Sequence, residues 1–254
     1  MIIDTHSHIY LPEFRDDLDQ MLSRAQNEAI NVILMPAIDH ETHQAMLETE
    51  ARYIGKCLSM MGLHPCSVRE GYKQELRTVE EYFEKRRFVA VGETGLDFYW
   101  DRTFTKEQYD SFQIQIELAK QYKLPVVIHS RNSIDECIKV IRENQQGNLK
   151  GVFHCFSGNE KQAKEIIALG FYLGIGGVVT FKNSGLDKVM VDIELKNVVL
   201  ETDAPYLAPV PFRGKRNECS YLKYVVEKLA QIKNVPKEEV AKITTRNAKE
   251  LFSI

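Results

Sequence analysis

Two histidines stand two residues apart near the start of the chain, in the segment IIDTHSHIYL, Ile2 to Leu11. His6 and His8 have the type and spacing to hold a metal ion. Residues i and i+2 of an extended segment share a face, and neutral imidazole is a common metal ligand. The β-branched pair Ile2–Ile3 suits a strand. Strand phase also places Asp4 on the histidine face, with Ile3 and Thr5 on the other. The same histidines would serve as plain polar groups at a strand-to-loop exit, so their meaning depends on the rest of the chain.

Further residues of this kind close other short apolar runs. "GLHP" supplies His64, "VAVGETGLDF" supplies Glu93 and Asp97, and "PVVIHSR" supplies His129 and Arg131. "GVFHCFSG" supplies His154, and "VVLETDAPYL" supplies Glu201 and Asp203. Five of the seven histidines, all but His40 and His43, fall at such ends. One histidine there is most simply a hydrogen-bonded structural residue. Five of them with carboxylates, gathered at one water-poor mouth, are costly without a cation. The set exceeds the roughly four ligands that one zinc takes. It fits two ions ~3.5–4 Å apart that share a bridging carboxylate and a bridging water. Glu93, central in the strand order, is the natural bridge. Mixed imidazole and carboxylate ligands suit Zn²⁺ or Mn²⁺ and admit Mg²⁺.

The elements that position these residues follow from the apolar pattern. The runs are Ile2–Ser7, Asn31–Ala37, Cys57–Leu63, Phe88–Gly95, Pro125–Ile128, Gly151–Phe153, Phe171–Ile175 and Val198–Leu200. Longer amphipathic stretches separate them. After Thr105, apolar residues fall at Tyr109, Phe112, Ile116 and Ala119, a helical period. Thr105 with Gln108, and Ser157 with Glu160, have capping-box spacing. Buried-type strands alternating with helices imply a parallel sheet. Eight of them in a chain near the ~250 residues usual for such a fold predict a single-domain (β/α)8 barrel over residues 1–254. An open doubly wound sheet is the alternative, but no GxGxxG or P-loop follows an early strand. In a barrel, active-site residues sit at the C-terminal strand ends.

Composition narrows the function. Net charge is −3, so nothing global favours nucleic acid and any phosphate recognition must be local. Hydrophobic residues make up 44% of the 254, ordinary for a folded soluble protein. The five cysteines (Cys57, Cys66, Cys137, Cys155, Cys219) are odd in number and form no CxxC pair, which reads as reduced cytosolic thiols. No apolar run approaches the ~18 residues of a membrane span, and no basic-then-apolar leader opens the chain. The expectation is a cytoplasmic protein with no membrane contact and no evident obligatory protein partner.

The motifs DTHSH, GLHP, GETGLDFYW, PVVIHSR, FHCFSG, VLETDAPYL and RGKRNE run in order from Asp4 to Glu218. With them the chain resembles the TatD family of metal-dependent deoxyribonucleases, among the amidohydrolase-like barrels. The resemblance implies a TIM barrel, divalent metals and Mg²⁺-supported hydrolysis of DNA, often from the 3′ end and of single strands. It implies His6 and His8 on one ion, Glu93 bridging, His129 and His154 on the other, Asp203 near the first ion and His64 in the substrate cleft. One departure stands out, since the family usually has Pro after RGKRNE and Cys219 stands here.

On that reading a metal-activated water attacks phosphorus, and Asp203 orients it and takes its proton. Arg131 either holds a phosphate oxygen or pairs with a nearby carboxylate. Glu201 is either a ligand of a further ion or a partner that orients one. Asp4 is expected either to support a ligand from behind or to be structural, Asp97 to orient ligands, and Cys155 to lie in the core. The loop PFRGKRNE should overhang the mouth and grip the polymer through Arg213 and Arg216, beside Lys215. A deacylase acting on an ester or amide remains the alternative on the same metals, and a binding protein without catalysis a weaker one. Elemental analysis after mild purification should find up to two divalent ions per chain, with activity lost on chelation and regained on metal return. A fully active metal-free protein would sink this reading.

Overall fold

The computed structural model describes residues 1–254. Eight parallel strands alternate with helices: β1 Ile2–Asp4, α1 Leu18–Asn27, β2 Ile30–Met35, α2 His40–Arg52, β3 Cys57–Ser59, α3 Tyr72–Lys85, β4 Val91–Asp97 and α4 Thr105–Tyr122. They continue as β5 Val126–Arg131, α5 Ile134–Asn144, β6 Gly151–Phe153, α6 Glu160–Ala168, β7 Phe171–Ile175, α7 Leu186–Asp192 and β8 Val198–Leu200, ending in α8 Leu222–Lys233 and α9 Lys237–Phe252. The ladders run β1-β2-β3 and β4-β5-β6-β7-β8. A Met61–Val91 bridge joins the two sets after β3. The ring closes where Thr5 N–H donates to Leu200 O at 2.9 Å and Ser7 bridges Ala204. The fold is a TIM barrel.

Alternation along each strand divides the core in two. Ile3, Leu34, Met60, Ala90, Val127, Val152 and Val199 fill the barrel interior, and Ala248, Leu251 and Phe252 of α9 join them. Their neighbours Ile33, Met35, Val126, Ile128, Phe153 and Leu200 face the helices in a larger apolar layer. Both faces are buried, which is why the strands read as continuous apolar runs rather than alternating ones. Interior filling leaves only the C-terminal strand ends for polar chemistry.

The last three strands have the bounds the pattern predicts, and the others shift. β1 ends at Asp4 rather than Ser7. There the Asp4 carboxylate accepts the His6 N–H at 3.3 Å, and a side-chain acceptor in place of a ladder partner ends the strand. Ile3 faces the interior, so Asp4 points outward and does not share the histidine face. Both capping expectations also fail. Thr105 Oγ1 donates to Arg102 O, and Gln108 points inward to accept the Asp97 N–H at 2.9 Å. The box before α6 is made by Asn159 and Gln162, two residues later than Ser157 and Glu160.

Leu251 lies at the barrel bottom, far from the polar mouth. Leu251→Ala should lower stability by about 2–5 kcal/mol, the usual cost of a buried leucine-to-alanine cavity. Denaturant unfolding measures it, and an unchanged midpoint would show that α9 does not close the interior.

Candidate metal centre at the barrel mouth

Glu93 stands at the middle of the mouth, with 2% of its side chain exposed. Its placement requires a break in strand phase. Ala90 faces the interior and Val91 the helices, so unbroken alternation would turn Glu93 outward. The β4–β5 register shifts between Val91 and Thr94, and this aims the carboxylate into the mouth. Gly95 permits the close approach of β4 to β5: at φ +137, a Cβ there would lie 2.1 Å from His129 O.

Five imidazoles converge on that carboxylate, divided between its oxygens. Oε2 faces Nε2 of His6 at 3.1 Å and of His8 at 3.5 Å. Oε1 faces His154 Nε2 at 2.7 Å, His129 Nδ1 at 2.8 Å and His64 Nε2 at 3.3 Å. Asp203 Oδ1 lies 3.7 Å from both His6 Nε2 and His8 Nε2. Three sets of ligand atoms result: His6, His8 and Asp203; His6, Glu93 and His154; His64, Glu93 and His129.

The electrostatics of this cluster favour a cation. The His6 and His154 rings stack at 3.8 Å between centroids, and His129 Nδ1 comes within 3.5 Å of His154 Nε2. Burial and the neighbouring His154 hold His6 well below the ordinary imidazole range. Burial also lowers His154 and His129, but the carboxylates outweigh it and both end above that range. The rings thus compete for few protons. A divalent ion accepts several of these lone pairs at once and needs none of the protons. Buried atoms without a partner, among them Glu201 Oε2 and the Nδ1 atoms of His6 and His154, mark the same strain. The residues present fit a divalent cation.

Surrounding hydrogen bonds set which ring nitrogen faces inward. Tyr10 OH donates to Pro36 O at 2.6 Å, so it accepts from His8 Nδ1 at 3.0 Å and leaves His8 Nε2 as a lone pair on the mouth. Asp97 Oδ2 accepts from His129 Nε2 at 2.8 Å, which leaves His129 Nδ1 free toward Glu93. His64 differs, because its Nδ1 accepts the Cys66 N–H at 3.0 Å. A neutral His64 therefore carries its proton on Nε2 and faces the mouth as a donor. Glu201 accepts the Cys155 N–H and lies 3.6 Å from His154 Nδ1. Gly174 makes room for it, since a Cβ there would meet Glu201 Oε2 at 2.3 Å. Glu201 is thus placed to orient His154. Cys155 is half-buried beside this cluster rather than in the core, with its φ at +47.

Burial pushes Asp203 up to about 6, against the pull of His154 and His8. Asp4 sits behind the centre and ties the first strand to the last. It accepts from Thr202 N at 2.9 Å and from Thr202 Oγ1 at 2.6 Å. Tyr10, Gln108 and the Cys66 amide were not legible as site residues. Tyr10 continues the two-residue spacing of His6 and His8, whereas the other two left no signal.

The three arginines differ. Arg131 is exposed and lies over the Tyr99 ring at 3.9 Å. Arg213 is exposed and lies over Phe181 at 4.5 Å. Arg216 forms a two-pronged pair with Asp17, both bonds 2.7 Å, so the structure commits it to the loop rather than to open space.

Comparisons with known proteins agree with this geometry. The family model described as TatD related DNase matches residues 3–253. The Bacillus subtilis protein named uncharacterized metal-dependent hydrolase YabD is 38% identical over all of both chains. The Escherichia coli protein named uncharacterized metal-dependent hydrolase YcfH is 31% identical over 100% of this chain and 96% of its own. The crystal structure of YjjV, a TatD homologue from Escherichia coli K12, superposes with a TM-score of 0.93 at 31% identity, covering 100% of this chain and 98% of that one.

Asp97→Asn leaves one acceptor oxygen where the carboxylate uses two, one for the Tyr99 and Trp100 amides and one for His129 Nε2. Metal affinity, measured by calorimetry, should fall ~10–100-fold, as for other partners of metal-binding histidines. Unchanged affinity would remove Asp97 from the site.

Proposed function

We propose that this chain, which belongs to the TatD-related DNase family of metal-dependent hydrolases, is a deoxyribonuclease that cleaves phosphodiester bonds of DNA with two divalent cations, acting on single strands or 3′ ends. The observation that carries this reading is the division of imidazoles between the two oxygens of Glu93. One side gathers His6, His8 and Asp203, and the other gathers His129 and His154. We assign these six residues as the metal ligands, with Glu93 the bridge and Mg²⁺, Mn²⁺ or Zn²⁺ the ions. When bound, such ions supply an acidified water and polarise the phosphoryl oxygens. The whole chain, 1–254, acts as one catalytic barrel. Its five cysteines are free, which supports a cytoplasmic location, and no helix is long and apolar enough to cross a membrane.

The chain's own groups supply the rest of the mechanism. Asp203, beside the inward nitrogens of His6 and His8, is the base that accepts the proton of the attacking water. His64 Nε2–H donates to a phosphoryl oxygen, because the Cys66 amide occupies its other nitrogen. Arg131, at the end of β5, and Arg213, in the loop after β8, hold phosphates. Arg216 acts one step back: its pairing with Asp17 fixes the loop that carries Arg213. Cys219, where the family usually has Pro, is buried and 3.4 Å from Ser7 Oγ, so packing anchors the loop end in place of ring stiffness.

Two measurements test this. Glu93→Gln removes the negative charge at the bridge. Turnover on single-stranded DNA should fall by more than the ~10–100-fold typical of outer partners, while thermal unfolding in excess metal moves little. Near-wild-type activity would contradict the bridging role, and activity confined to ester and amide substrates in the parent protein would contradict the nuclease. Arg213→Ala should weaken DNA binding and reduce its salt slope by about one unit, one phosphate contact. An unchanged slope would remove Arg213 from the interface.

A further inference from the structure

One rim feature is left over by the metal centre. Trp100 is the only tryptophan in the chain. It is 68% exposed, and Tyr99 beside it is 51% exposed. Aromatic rings of this size are usually well covered. The two rings meet edge to face, 4.9 Å between centroids. Arg131 lies 3.9 Å from the Tyr99 centroid and 5.3 Å from that of Trp100. Its partners are π faces rather than a carboxylate, so its charge remains available.

The position of this group is tied to the catalytic mouth through Asp97. Oδ1 of that carboxylate accepts the backbone N–H of Tyr99 at 2.9 Å and of Trp100 at 3.1 Å. Oδ2 accepts from His129, whose other nitrogen faces Glu93. One side chain therefore holds both an imidazole of the metal centre and the backbone that presents the aromatic pair. The aromatic pair thus stands one side chain, Asp97, away from an imidazole of the metal centre.

We propose that Tyr99, Trp100 and Arg131 form a stacking platform for an unpaired nucleobase of the strand being cleaved. The proposal rests on the phosphodiesterase reading above. The chemistry fits one occupant, a flat π surface joined to a polyanion: the rings offer stacking area and the guanidinium offers positive charge. Every base has a π face, so the platform is tolerant of sequence. A base held in a duplex cannot present that face, so the platform favours single strands.

The sole tryptophan makes its own reporter. The probe is a single-stranded thymidine oligonucleotide with phosphorothioate linkages, beside the same chain made abasic along its 3′-terminal stretch. Both are added to the full-length metal-loaded protein. The base-bearing chain should quench Trp100 emission saturably and the abasic chain should not. On unmodified chains, Trp100→Ala should lose about tenfold in kcat/KM and should no longer distinguish base-bearing from abasic ends, while Trp100→Phe recovers most of the loss. A wild-type protein that cleaves base-bearing and abasic chains alike would overturn the platform and leave the nuclease standing. A wild-type protein that cleaves no oligonucleotide would overturn both. Emission that changes with protein concentration alone, together with a dimer in sedimentation, would assign the exposed ring to a second copy of the chain and overturn the platform.

Discussion

A carboxylate buried among five imidazoles is the constraint on which the rest of this structure depends. Glu93 is almost sealed from water, and each of its ion pairs is to a histidine. Burial alone would push its proton on, yet the surrounding rings hold it well below the usual carboxylate range. A buried charge of this kind is tolerable only with compensating charge in fixed geometry. Imidazoles that must be neutral to be ligands do not supply that compensation, but divalent cations do. The cluster is therefore stable as a metal-binding cradle and costly as anything else.

The demand for fixed geometry passes outward through single hydrogen bonds. Asp97 holds His129, Tyr10 holds His8 and the Cys66 amide holds His64. Asp4 joins the first strand to the last beneath His6 and Asp203. At the periphery a chain of ion pairs, Arg24 to Asp17 and Glu218 and Arg216 to Asp17, ties the loop after β8 to α1. The opposite end of the barrel has no part in this. It is closed by apolar residues of α9 and carries stability, the usual division between the two faces of this fold.

Much of this was legible in the sequence because burial on both faces makes strands conspicuous. Gly151–Phe153, Phe171–Ile175 and Val198–Leu200 stand with the predicted bounds, and His154 and Glu201, which follow the first and last of them, lie at the centre. Strand phase was the less dependable guide. It put Asp4 with the histidines, but a side-chain hydrogen bond ends β1 first. It gave no warning that Glu93 needs a register shift to face inward. It also put Cys155 in the core, where a left-handed backbone turn brings it to the site instead. Phase carries one bit per residue and a single irregularity inverts it. Gln108 shows the same limit for local motifs: capping-box spacing was present, but a buried amide opposite Asp97 had the stronger use for that side chain. Basic residues in one loop likewise looked alike, and only the position of Asp17 separates Arg216 from Arg213.

The central claim is that Glu93 bridges two cations. Anomalous diffraction from crystals grown with Mn²⁺ tests it most directly. The account predicts two peaks ~3.5–4 Å apart, one beside Oε2 with His6 and His8 and one beside Oε1 with His129 and His154. A single peak that leaves one of these groups without an ion, or two ions with Glu93 touching only one, would contradict it.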